Sequence, residues 1–182
     1  MEMLSYGFST PEDLFAKLKR DGAKFGKRPD PDDVFNFLVT AAALNEWVRK
    51  VFKGDRLIDD IAQAVTPSGK WEKLPTQTIA WVADSSCVPN RHCDVRRHIF
   101  NALRICWDVA GASKHFYWST AVKGIDSKPI VGNWYQYFFT SVTPDLYVDY
   151  EGEVYGLSQV RDILTQFYAG LFKHVGNGHV AT

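Results

Sequence analysis

Cysteine is scarce in this sequence. There are three, Cys87, Cys93 and Cys106, all within one short region. An odd set at these spacings matches no zinc module and cannot form a secreted disulfide framework, so reduced thiols and a cytoplasmic location are expected. Net charge is missing as well: 21 Lys and Arg balance 21 Asp and Glu. That excludes a global basic field that would draw the chain onto nucleic acid or an anionic membrane, and leaves only local patches. No apolar run approaches the roughly 18 residues of a membrane span. The opening stretch MEMLSYGFSTPEDLF has neither the basic region nor the apolar run of a signal peptide, so no membrane association is expected. A phosphate-cradling loop is absent too, because KGIDSKP and GNGH lack the strand-to-helix setting. Cys87, His92 and Cys93 have no fourth ligand at zinc spacing. Neither a cofactor nor a metal is expected.

What is present suits a folded chain that needs no staple. At 182 residues with 46% apolar content, it can bury about 70% of its unfolded surface. With no internal repeat and no low-complexity linker, residues 1–182 read as a single domain. Its parts are a helical region over 10–114, a β meander over 115–156, a C-terminal helix over 158–173 and a loose tail over 176–182.

The helical region is punctuated by capping residues. STPEDLFAKLKRDG begins with Thr10 as cap, Pro11 in the first turn and Glu12 and Asp13 facing the positive helix end, with Gly22 as the stop. DPDDVFNFLVTAAALNEWVRKVFKG repeats the pattern with Asp30, Pro31, Asp32 and Asp33. Its Val34, Phe37, Leu38, Ala41, Leu44, Val48, Val51 and Phe52 keep a three-or-four spacing, and Phe35 and Trp47 widen the stripe. A face that wide needs several partners, as in a helical bundle. Short helices are expected up to Val65 and over 75–84, and a longer one over 90–113.

Beyond His115 the texture turns aromatic and β-branched. HFYWSTAVKGI, GNWYQYFFTSV and DLYVDYEGEVYGL read as strands of an antiparallel meander, the last folding into a hairpin at Glu151 and Gly152. A final helix, capped by Ser158, turns Val160, Ile163, Leu164, Phe167, Leu171 and Phe172 inward. The fold class is therefore α+β and mainly α: a helical bundle with a small antiparallel meander inserted.

The helix over 90–113 carries the densest chemistry. Val95, Ile99, Ala102, Leu103, Cys106, Val109 and Ala110 share a broad apolar face, and Arg91, Asp94, His98, Asn101 and Asp108 run along its edge. Arg91, Asp94 and His98 are spaced to reach one another. An imidazole can move a proton, a carboxylate can orient it and a guanidinium can hold a phosphate. The plainer alternative is a packing helix, with Arg97 paired to Asp94, Arg104 paired to Asp108, and His98 as a half-buried boundary residue.

Arg91, the polar His92, five further residues and then His98 resemble the Arg-polar-spacer-His motif of HEPN ribonuclease domains. The likeness implies a helical, usually dimeric, metal-independent RNA-cleaving domain, with His98 transferring the proton, Arg91 stabilising the phosphate and Asp94 supporting. Separately, DVFNFLVTAAALNEWV and ASKHF resemble proteins of bacterial and phage origin, a likeness that assigns no chemistry.

The aromatic strands suggest another function. Trp134, Tyr135, Tyr137, Tyr147 and Tyr150 put large rings on both faces of the meander, more than one core needs. They point to a non-enzymatic protein-interaction module of bacterial or phage origin, whose partner is another protein or a second copy of the chain. The alternative is the HEPN-like ribonuclease of defence or toxin type, with RNA as partner.

Overall fold

Three capping side chains set the helical frame. In the computed structural model, which describes residues 7–25, 30–66, 69–85, 95–115, 122–128 and 145–178, helix α1 spans Pro11–Ala23. Of residues 83–85, 95–97, 112–115, 122–128, 145 and 177–178 only the backbone is described. The Thr10 hydroxyl accepts from the Asp13 amide at 3.2 Å, and the Asp13 carboxylate accepts from the Thr10 amide at 3.0 Å, a reciprocal capping box. Two backbone donors with no helical partner are satisfied together, and the carboxylate is held below its ordinary range by the Ser9 and Thr10 amides. Asp30 caps α2 (Pro31–Val51), and Asp55 caps α3 (Arg56–Val65). A 3-10 turn at Trp71–Lys73 leads into α4 (Thr76–Ser85), and α5 covers Val95–His115.

Helix α2 lies between α1 and α5, with Phe37, Leu38, Ala41, Leu44 and Val48 buried at the expected spacing. Of these, Phe37, Leu38, Leu44 and Val48 each contribute roughly 1.5–3 kcal/mol when withdrawn from water. Phe35 departs from the expectation and is 41% exposed. It stands two residues from Phe37, which places it on the opposite side of the helix. Val51, the last residue of α2, is exposed too. A buried polar clamp ties α1 to α2: the Lys17 ammonium meets Asp21 and Thr40, and the Thr40 hydroxyl donates to Asp21 at 3.0 Å.

The sheet is small and antiparallel, with strands β1 (Val122–Lys128), β2 (Asp145–Tyr150) and β3 (Glu153–Gly156) in the order 1-2-3. β1 shares residues 122–125 with the expected 115–125 stretch, of which His115 closes α5 instead; residues 116–121 and the stretch GNWYQYFFTSV fall outside the described residues. The expected hairpin is present, with Tyr150 paired to Glu153 across the two-residue turn Glu151–Gly152. Both turn residues have positive φ, 53° and 81°. That is the turn whose twist matches the strands, and Gly152 adopts it at no steric cost.

Helix α6 (Leu157–Gly178) follows β3 directly, which makes Ser158 its second residue. The helix also runs through part of the stretch expected as a loose tail, to Gly178. α6 packs on α1, α4, α5 and the inner face of the sheet, and Tyr168 donates to the Ala41 carbonyl of α2 at 3.2 Å. The fold is α+β and mainly helical, and its buried side chains join in one cluster through α1–α6 and β2–β3. Among the described residues, no helix is long and apolar enough to cross a membrane.

Candidate functional site

The polar edge of α5 meets the β2–β3 hairpin. His98, Asn101, Arg104 and Asp108 recur every three or four residues, so they follow one edge of the helix. His98 is half-buried, its ring edge-on to that of Tyr155 at 5.7 Å and 69°. Its Nδ1 is buried with no hydrogen-bond partner. Asn101, placed by the sequence on the polar edge, is in fact only 1% exposed. Its amide donates to the Tyr155 hydroxyl at 2.7 Å, and that hydroxyl donates to Glu153 at 2.9 Å. A fixed relay of amide, phenol and carboxylate therefore pins β3 to α5.

Arg104 also departs from the expected surface pair with Asp108. Its Nη2 donates to the carbonyls of Ala64 at 3.0 Å and Gly69 at 2.5 Å, closing the C-terminal end of α3. Its Nε is buried without a partner. Gly69 is required there: a Cβ at this position would stand 2.3 Å from the Gln63 carbonyl oxygen. The guanidinium also bonds to Tyr150, whose phenol is pushed up to about 12, chiefly by burial and further by the Asp108 and Glu151 carboxylates.

Between these parts lies an open cleft of about 600 Å³, lined by Lys70, Trp71, Lys73, Asn101, Arg104 and Glu151, with Gly69 and Glu72 completing it. Trp71 is held nearly parallel to Phe100, at 6.5 Å and 8°. A neighbouring hollow of about 390 Å³ shares Gly69, Lys70 and Lys73. The lysine pair stands where the two meet.

The sites expected from sequence are distributed unevenly over this geometry. Arg91 and Asp94 lie outside the described residues, as do Trp134, Tyr135 and Tyr137. His98 is on the same helix edge as Asn101 and Arg104 but is not among the residues lining the cleft. Tyr147 is half-buried on the outer face of β2, whereas Tyr150, counted among the interaction residues, is 3% exposed and faces the core. Alternation along the strand is the reason: Leu146, Val148 and Tyr150 share the buried face. Cys106 is buried and its thiol is pushed well above its ordinary range by desolvation, so it is no nucleophile. Among the described residues, no group of His, Cys, Asp and Glu is placed to hold a metal ion.

The cleft itself was missed. The stretch KWEK, a tryptophan between two lysines, was the available signal, but nothing local places it beside Arg104. No known family model matches the chain, and no curated protein or solved structure is similar enough to match it.

Proposed function

We propose that this chain is a non-enzymatic protein-interaction module of the cytoplasm, which docks its partner on the outer face of the β2–β3 hairpin. One observation carries the reading. On the outer face of the hairpin Val154 is 57% exposed and stands beside half-buried Tyr147. Val154 stands opposite Asp149 in the ladder, so an apolar spot is bordered by a carboxylate. An exposed β-branched residue beside a tyrosine is the composition of an interface anchor with a polar rim.

The experiment is a mass measurement in solution over a concentration range, followed by affinity capture, on wild type, Val154→Lys and Tyr147→Ala. A second copy or another protein is expected on the wild type and lost from both variants, with melting temperature retained. Undiminished association in both variants refutes the docking face.

A second reading rests on His98. Buried polar atoms without partners are few in native proteins, and the orphan Nδ1 of His98 is one. This favours an imidazole kept for chemistry, which in a HEPN-like ribonuclease would be proton transfer beside Arg91. Mixed RNA incubated in EDTA should be degraded by wild type and spared by His98→Ala and Arg91→Ala. Intact RNA with wild type removes the reading.

A further inference from the structure

The lining of the cleft carries charges that packing does not explain. Lys70 and Lys73 are exposed and Arg104 is half-buried, and among the described residues none of the three makes an ion pair. Closing α3 and bonding Tyr150 account for part of the Arg104 guanidinium, but not for its buried, unpartnered Nε. The fold asks nothing of the two lysines. Glu151 is equally unaccounted for. The turn forces a φ of 53° on it, where Asn, Asp or Gly is favoured, yet a glutamate stands there and lines the cleft.

Together these groups match one ligand chemistry. Three cations that make no ion pair among the described residues suit an oxyanion carrying more than one charge. The Trp71 ring, held by Phe100, offers a flat apolar wall. The carboxylates of Glu72 and Glu151 and the amide oxygen of Asn101 are acceptors for N–H donors. A free phosphate would use the cations alone, and an acidic peptide would be repelled by the two glutamates. A nucleoside 5′-phosphate uses all three features, and about 600 Å³ is ample for one, ligand pockets spanning about 300–1,000 Å³.

We propose that this cleft binds a nucleoside 5′-phosphate, either free or as the phosphorylated end of a single RNA strand. The phosphate lies among Lys70, Lys73 and Arg104, the base lies against Trp71, and its amino group meets Glu151. A strand end runs on into the neighbouring hollow past Lys70 and Lys73. Neither His98 nor Tyr147 and Val154 of the docking face line this cleft.

The test is calorimetric titration of the full chain with adenosine 5′-monophosphate, adenosine, inorganic phosphate and a short 5′-phosphorylated oligoadenylate. Variants are the double change Lys70→Glu with Lys73→Glu, Trp71→Leu, and Lys53→Glu as an exposed lysine outside the cleft. Saturable binding of the monophosphate is expected, about tenfold or more tighter than either fragment, as stacking of one base is worth. It should fall about tenfold or more in the cleft variants and persist in Lys53→Glu. Tighter binding of the oligoadenylate identifies a strand end as the ligand; equal or weaker binding identifies the free nucleotide. No saturable binding of either at millimolar concentration, phosphate binding as tightly as the monophosphate, or full binding by the double lysine variant overturns the proposal.

Discussion

Replacing Gly69 by alanine tests how the cleft is built. The added Cβ would lie 2.3 Å from the Gln63 oxygen, 2.5 Å from the Ala64 oxygen and 2.7 Å from the Ala64 carbonyl carbon. Carbon contacts settle near 3.5 Å or beyond, so the segment must retreat by about 1 Å. All three obstacles are backbone, and the end of α3 cannot swing aside as a side chain would. Overpacking of this kind costs about 1–3 kcal/mol. The retreat also pulls the Gly69 carbonyl from Arg104, and losing a hydrogen bond to a charged group costs about 1.5–3 kcal/mol. The expected loss is about 3–5 kcal/mol by urea unfolding, or about 10 °C in melting temperature for a chain of this size. Gly111→Ala is the control, because nothing lies within 4 Å of its Cβ position in α5. It should stabilise by about 0.5–1 kcal/mol through helix propensity alone. Repeating Gly69→Ala in an Arg104→Ala background should shrink the loss by the hydrogen-bond share. A Gly69→Ala variant within about 0.5 kcal/mol of wild type, or strict additivity with Arg104→Ala, would refute the reasoning.

Thr40→Val keeps the shape of the clamp but leaves buried Asp21 short of a donor, so a loss of about 1–3 kcal/mol is expected from urea unfolding, and none would mean that the clamp is idle. Glu151→Asn relieves the positive φ and should raise stability by about 0.5–1 kcal/mol while weakening nucleotide binding; a loss of stability would show that the turn holds no strain. The Asp13 carboxylate is lowered from 3.8, so its cap is fully present above that pH and is lost as pH falls below it, through the lower folded value. Amide protection in the first turn of α1 should therefore fade in acid, and Asp13→Asn should abolish that dependence. Cys106 should resist alkylation in the native protein and react once unfolded, as followed by peptide mass spectrometry; rapid native labelling would contradict its burial.

Much of the frame was legible because its signals are local. Thr10, Asp30 and the Glu151–Gly152 turn act through backbone groups within a few residues, so their neighbours in sequence are their partners in space. The spacing of Phe37, Leu38, Ala41 and Leu44 likewise describes one helix face, whatever covers it. Local reading failed where a partner from afar decided the outcome. Asn101 read as part of a polar helix edge and Arg104 as a surface partner of Asp108, yet Tyr155 lies 54 residues from Asn101 and the Gly69 carbonyl 35 from Arg104.

The sequence by itself determined where most helices begin, which faces are apolar and where the hairpin turns, since these depend on periodicity and on backbone hydrogen bonds closed at short range. Only the tertiary structure decided that Tyr150 faces inward while Tyr147 faces outward, and that Lys70, Trp71 and Lys73 share a cleft with Asn101, Arg104 and Glu151. The reason is physical: sheet register and helix packing fix which remote groups meet, and the free energy of those meetings is not written in any single segment.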